Sequence, residues 1–166
     1  MLEIAQKATK LRQKFRTSNP FLICEGLGVN VRLADLGGLK GFYKYYMKNR
    51  FIVINSNICD NLKKMVCAHE LGHDILHRDI AKHINFWETT LWDMSGKVEL
   101  EANIFASELL IGDEDILNIT DDCLSVEKIA SLLGIDENIA KLKICIMKEK
   151  GYNVNADFLT QINFLQ

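Results

Sequence analysis

Several residue types that shape many small proteins are scarce in this chain. Its 166 residues include a single proline and five cysteines, and no two cysteines form a CxxC pair. The odd number leaves one cysteine unpaired in any disulfide scheme, which argues against a disulfide framework. Free thiols are typical of a reducing compartment, so we expect a cytoplasmic protein.

Excess charge and long apolar runs are lacking as well. The formal net charge is −2, which gives no overall electrostatic footprint for nucleic acid. The first 18 residues are basic and helical in pattern but carry no apolar run, so we expect neither a secretory signal nor a membrane span. A hydrophobic content of 48% is enough for one domain, or one domain with a small appendage.

Histidine is scarce too, at four residues, yet two of them stand at the spacing of a metal site. On a helix, His69 and His73 lie on one face, where both rings can turn a nitrogen toward a single ion. Glu70 is too close to His69 to serve as a third ligand. It is well placed to deprotonate a water molecule, which is the general-base role of an HExxH motif.

The surrounding residues predict a helix from about 61 to 77 that carries this motif near its middle. Asp60 is a candidate N-cap, and apolar residues continue on one face before and after the motif. Gly72 costs roughly 1 kcal/mol in a helix interior. It therefore predicts a close approach by another backbone or by the site itself.

A catalytic zinc takes three protein ligands and keeps one position open, so a third ligand is needed. His77 lies on the same stripe, but eight residues at 1.5 Å each put it about 12 Å along the axis from His69. We expect it to support a ligand or to end the helix. His83 lies in a predicted loop, which leaves the carboxylates.

The best source of a carboxylate is the segment 98–110, whose apolar residues follow a helical stripe. Glu101 stands one turn from apolar residues of that stripe, and a carboxylate on a buried face needs a partner such as a metal. Glu99 and Glu108 fall more toward the polar side and are expected to be solvated. The predicted third ligand is therefore Glu101.

Two blocks of this sequence resemble the ImmA/IrrE-type metallopeptidases, whose pattern runs HELGHxxLH followed by EAxxFAxxLLMP. The chain reads HELGHDILH at 69–77 and EANIFASELL at 101–110. One departure is plain, because Ile111 and Gly112 stand where the family usually has Met-Pro. That change alters the end of the helix and removes no predicted metal ligand.

The resemblance implies a small gluzincin-like peptidase, with zinc held by His69, His73 and Glu101 and with Glu70 as general base. It also implies a biological role. The expected substrate is a transcriptional repressor of the helix-turn-helix type, whose cleavage would derepress phage, mobile-element or stress genes in a bacterium or prophage.

The remaining pattern favours an α+β fold. A three-stranded sheet would pack on the HExxH helix and the ligand helix, in the minimal gluzincin-like arrangement that the resemblance implies. A helix is predicted over 2–15, a short helix after the cap at 17–20, and strands over 29–36, 41–47 and 50–55, the last two joined by a turn at 48–49.

The C-terminal part has the sequence pattern of a helix-turn-helix, with Ser125 as a cap and Gly134 as the turn. Five lysines face four acidic residues between 124 and 150, and the second helix opens with two carboxylates. The resulting net charge of +1 provides few contacts to DNA phosphates, so direct DNA binding is not expected. We predict a metallopeptidase domain over 1–120 and a helical subdomain over 121–166, which packs on it or docks a partner.

Other functions stay open at this point. Two histidines and a carboxylate can hold Fe(II) in an oxygenase, although Glu70 would then have no evident task. A non-cleaving antirepressor or a DNA-binding regulator would also fit the resemblance. No oxyanion donor can be assigned, and the candidates are His83 and the tyrosines 43, 45 and 46. Phe86, Trp87 and Trp92 form either a lid or core packing.

Overall fold

The computed structural model describes residues 1–81, 96–119 and 125–154, and within these ranges the fold is α+β, as predicted. None of the helices in this part of the chain is long and apolar enough to cross a membrane. In chain order the elements are α1 (Leu2–Phe15), α2 (Pro20–Leu27), β1 (Asn30–Ala34), β2 (Gly41–Tyr46), β3 (Asn49–Asn55), α3 (Asp60–Leu76), α4 (Arg78–Ala81), α5 (Lys97–Leu110), α6 (Asp113–Leu117), α7 (Val126–Leu133) and α8 (Glu137–Glu149).

The predicted start of the short second helix is confirmed. The Asn19 side chain accepts a hydrogen bond from the Phe21 N–H, and Pro20 occupies the first turn, where its missing N–H costs nothing. Gly28 ends the helix in the left-handed conformation at φ 70°. Helix α2 then leads into β1 at one edge of the sheet.

The sheet has three strands in the order β1-β3-β2. Strand β1 pairs with β3 in parallel, whereas β2 and β3 form an antiparallel hairpin. The hairpin turn is Met47-Lys48, one residue earlier than predicted, and both residues have positive φ, at 48° and 64°. Positive φ at both central residues defines a type I′ turn, which matches the twist of the strands it joins.

The main core lies between the sheet and the helices α2, α3 and α5. Its centre is built from buried apolar side chains of the two long helices and of the strands β2 and β3. Helices α3 and α5 approach so closely that a Cβ on Gly72 would lie 3.1 Å from the Cα atom of Ala102. The close approach predicted from Gly72 is therefore confirmed.

The C-terminal pair α7 and α8 has the predicted cap and turn. The Ser125 side chain accepts from the Lys128 N–H, and Gly134 adopts φ 63° between the two helices. Helix α8 contacts α1, α5 and α7, and most of its side chains from Ile139 to Met147 are buried. The pair is thus packed on the ligand helix.

Candidate metal centre

Helix α3 brings the two motif histidines together on the side that faces α5. One turn separates His69 from His73, and their Nε2 atoms lie 3.1 Å apart. Both side chains are almost fully buried, as is Glu70 between them in sequence. The spacing of four residues on one helix thus places two imidazole donors side by side in the protein interior.

The third member of this cluster is Glu99 rather than Glu101. Its two carboxylate oxygens lie 3.2 Å from His69 Nε2 and 3.6 Å from His73 Nε2, and the residue is only 5% exposed. Glu101 contacts His77 instead. Residues two apart on a helix point about 200° away from each other, so both carboxylates cannot face the pair.

The expectation that Glu99 is solvated is wrong, and so is the same expectation for Glu108. Both are buried, because α5 packs against α3 on one side and against α1 and α8 on the others. From Ala102 to Leu109 every residue of α5 is buried, so this part of the helix has no solvated polar face. Periodicity alone therefore does not show which glutamate lies beside His69 and His73.

The donor set fits a tetrahedral metal ion. Among the described residues, His69, His73 and Glu99 form the group whose candidate ligand atoms all lie within 4.8 Å of one another. Zinc bonds of 2.0–2.2 Å at tetrahedral angles require ligand atoms about 3.3–3.6 Å apart. The separations of 3.1, 3.2 and 3.6 Å among the closest atoms are close to that range.

The electrostatics of the cluster also call for a cation. Burial raises the pKa of Glu70 to about 7, and the nearby charge of Glu99 adds to the rise. Burial lowers the pKa of His73 to about 4, so its ring is neutral near pH 7 and can donate a lone pair. For His69, burial alone would lower the pKa, but the hydrogen bond with Glu99 and the charges of both glutamates raise it.

Sequence reasoning missed Asn103, which holds His69 from the other side. The Nδ1 atom of His69 lies 2.8 Å from Asn103 Oδ1, and Asn103 is fully buried. A bond of this kind fixes the ring orientation and leaves Nε2 facing Glu99. The signal was present, because Asn103 follows Glu99 by four residues and so shares its helical face.

His77 lies where it was predicted to support a ligand. Its Nδ1 atom is 3.2 Å from His73 Nδ1, and its Nε2 atom is 2.8 Å from Glu101 Oε2. It is buried and caps the end of α3, and its ring is not one of the three groups of the candidate cluster. Glu101 thus reaches the site only through His77.

A second missed residue is Asp74, a fully buried carboxylate next to His73. It accepts hydrogen bonds from the Tyr43 hydroxyl at 2.8 Å, from Arg50 at 3.0 Å and from Arg78 at 3.1 and 3.2 Å. These contacts tie α3 to the hairpin of β2 and β3. Asp74 and its three partners Tyr43, Arg50 and Arg78 form a polar network beside the metal cluster, which we call the brace.

Tyr43 is therefore part of the brace and not an oxyanion donor. Its side chain is fully buried, its hydroxyl is bonded to Asp74, and its backbone N–H donates to the Glu70 carboxylate. Of the other candidates, Tyr46 is half exposed and Tyr45 is partly buried. His83, Phe86, Trp87 and Trp92 lie outside the described residues.

Known proteins that are similar to this chain include a metallopeptidase, in agreement with a metal site. The family model described as Peptidase_M78, IrrE N-terminal-like domain, matches residues 24–144. A protein of Bacillus phage phi105 named uncharacterized immunity region protein 2 is 38% identical over 135 residues, which cover 81% of this chain and 84% of that protein. The metallopeptidase ImmA of Bacillus subtilis strain 168 is 28% identical over 113 residues, 67% of this chain and 64% of the relative.

The family match spans the HExxH helix, the ligand helix and most of α8. It therefore includes every residue of the candidate cluster and of the supporting contacts described above. The chain belongs to the ImmA/IrrE family of metallopeptidases.

Proposed function

We propose that this protein is a zinc-dependent, site-specific endopeptidase that cleaves a helix-turn-helix transcriptional repressor in the cytoplasm. The observation that carries the proposal is the buried cluster of His69, His73 and Glu99 with Glu70 beside it. Two imidazoles and one carboxylate are a common protein ligand set of catalytic zinc in peptidases.

In this proposal His69, His73 and Glu99 hold the zinc. When bound, zinc would act as a Lewis acid on the scissile carbonyl and lower the pKa of a coordinated water toward about 7. Glu99 replaces Glu101, which was predicted from the sequence, because of these two glutamates it is Glu99 that lies beside His69 and His73.

Glu70 would act as general base. It takes a proton from the attacking water and later delivers that proton to the leaving amine. A general base works best with a pKa near the working pH, and burial brings the pKa of Glu70 to about 7. The backbone N–H of Tyr43 holds the carboxylate in place.

The choice of substrate rests on the relatives. One of them is named as an immunity region protein of a phage and the other as a metallopeptidase. The resemblance to the family implies a helix-turn-helix repressor as the substrate, and a peptidase of this kind would act by removing that repressor. Derepression of phage or mobile-element genes is the proposed output.

The main alternative is a protein that binds the repressor without cutting it. Direct DNA reading by the C-terminal pair is disfavoured, because most of α8 is buried against α5 and α7. A recognition helix must instead present one face to the major groove.

An iron oxygenase is a further alternative. In such an enzyme the buried Glu70 would have no evident role.

The test compares wild type, Glu70→Gln and Glu25→Gln with purified helix-turn-helix repressors of the same genome. Glu70→Gln should keep its zinc and its fold but lose cleavage, whereas Glu25→Gln, at an exposed position, should cut like wild type. Cleavage is followed by mass spectrometry of the products, and zinc by atomic absorption.

Cleavage by Glu70→Gln at the wild-type rate would refute the mechanism. If wild type releases the repressor from operator DNA without cutting it, the non-cleaving antirepressor is the correct function. Equal zinc content in wild type and in the double variant His69→Ala, His73→Ala would refute the metal centre itself.

A further inference from the structure

A chain of hydrogen bonds connects the candidate metal cluster with the protein surface. It runs from His73 Nδ1 to His77 Nδ1 over 3.2 Å, and from His77 Nε2 to Glu101 Oε2 over 2.8 Å. The two histidines are 2% and 4% exposed, and the Glu101 side chain is 27% exposed. Neither His77 nor Glu101 belongs to the cluster of candidate ligand atoms.

The last group in the chain sets the direction of every bond in it. A carboxylate has no proton to give, so Glu101 can only accept, and His77 Nε2 must donate. If the His77 ring carries a single proton, that proton is on Nε2, and its Nδ1 atom can only accept. His73 must therefore donate from its own Nδ1.

This direction decides which nitrogen of His73 has the lone pair that can bind a metal. A neutral imidazole carries one proton, so a proton on Nδ1 leaves a lone pair on Nε2. Nε2 is the atom that faces His69 and Glu99. The opposite direction would put the proton on Nε2 and block the donor.

We infer that Glu101 and His77 form a positioning pair that fixes the tautomer of His73 and so prepares its Nε2 to bind the metal. The inference rests on the proposed function only in that the cluster holds zinc. Glu101 thereby has a role although it is not a ligand, because two hydrogen bonds connect it to the ligand His73. Loss of such supporting contacts commonly weakens metal binding by about 10–100-fold.

The direction of these hydrogen bonds predicts a graded series of zinc affinities for variants at position 101. Glu101→Gln keeps an oxygen that can accept from His77, so its zinc affinity should stay within about threefold of wild type. Glu101→Leu removes the acceptor and should weaken zinc binding about 10–100-fold. Glu101→Lys ends the chain on a donor and should weaken binding at least as much as the leucine variant.

The zinc dissociation constant is measured by competition with a chromophoric chelator. Lys97→Gln is the matched control, because Lys97 lies 4.0 Å from Glu101 Oε1 but has no part in the bond to His77. It should bind zinc like wild type. Equal zinc affinity in wild type, Glu101→Leu and Glu101→Lys would overturn the inference.

A second readout needs no variant and no activity. Two-bond ¹H–¹⁵N correlation spectra of the metal-free wild type report which ring nitrogen of each histidine carries the proton. We expect the His73 proton on Nδ1 and the His77 proton on Nε2, and a His73 proton on Nε2 would overturn the inference. If wild type binds no zinc at all, the proposed function fails, which is a different outcome from zinc binding that is insensitive to position 101.

Discussion

At the scale of single residues, Gly72 shows how one missing side chain sets the geometry of the centre. It lies between His69 and His73 in the motif helix, where glycine is unfavourable by about 1 kcal/mol relative to alanine. A Cβ at this position would meet backbone atoms of Ala102 at 3.1 and 3.2 Å. Glycine therefore permits the distance between α3 and α5 at which Glu99 and Asn103 reach the two histidines.

We predict that Gly72→Ala weakens zinc binding by about tenfold, because α5 must move away from α3 and carries its polar side chains with it. Overpacking costs about 1–3 kcal/mol and outweighs the gain of about 1 kcal/mol in helix propensity. The measurements are chelator competition and the midpoint of thermal unfolding.

Gly38→Ala is the control, since a Cβ there has open space around it. It should leave zinc affinity unchanged. Wild-type affinity in Gly72→Ala would mean that the spacing of the two helices does not set the geometry of the cluster.

The residues of the HExxH motif could be predicted from the sequence because their spacing lies within one helix. His69, Glu70 and His73 needed only the period of 3.6 residues. The choice between Glu99 and Glu101 needed the surroundings of α5, which no property of that segment reveals. Asp74 was missed for the same reason, because its partners lie on the hairpin and beyond the end of α3.

At the scale of elements, a buried ion cluster fastens α8 to the ligand helix. Lys143 is fully buried and lies 2.7 Å from Glu108 and 2.6 Å from Asp113. Lys150 contacts the same two carboxylates, at 2.7 and 2.8 Å, and Thr9 donates to Glu108 at 2.8 Å. Each charge in the cluster thus has partners of opposite sign.

We predict that Glu108→Gln lowers the free energy of unfolding by about 3 kcal/mol, because it removes a charge that compensates the buried Lys143. Urea denaturation of the metal-free protein measures this. Glu114→Gln, on the exposed side of α6, is the control and should change stability by less than about 0.5 kcal/mol. A loss as small as that of the control would show that the cluster adds no stability.

Most element positions could be predicted from local signals. The predicted first helix agrees with α1, and the motif helix begins one residue earlier than predicted, at Asp60. The ion cluster could not be predicted, because its members are separated by up to 42 residues and only the packing of α8 brings them together. Polar residues 30 or more positions apart carry no periodic signal.

At the scale of the whole molecule, we propose that residues 1–120 hold the site and residues 121–166 form a subdomain that packs on it. The family match supports a subdomain that belongs with the peptidase part, because the matched region continues past position 120 to residue 144. A small core joins Ala5 and Ile104 to Leu142 and Ile146 of α8.

The site depends on α8, because α8 packs against the helix that carries Glu99. A fragment of residues 1–120 tests this dependence. Without α8, the buried Ile104 would face water, Ser107 would lose its bond to the Ile139 carbonyl, and Glu108 would lose both lysines. All three lie on α5, the helix that also carries Glu99 and Asn103. We therefore expect the fragment to unfold without a cooperative transition and to bind less than about a tenth of the zinc bound by the full chain, because a buried surface of this kind is worth several kcal/mol. Calorimetry measures the cooperativity of unfolding and zinc analysis the metal content, each for the fragment and for the full chain. A sharp transition with full zinc content would show that the peptidase part folds by itself. Helix α8 would then serve only as a docking element.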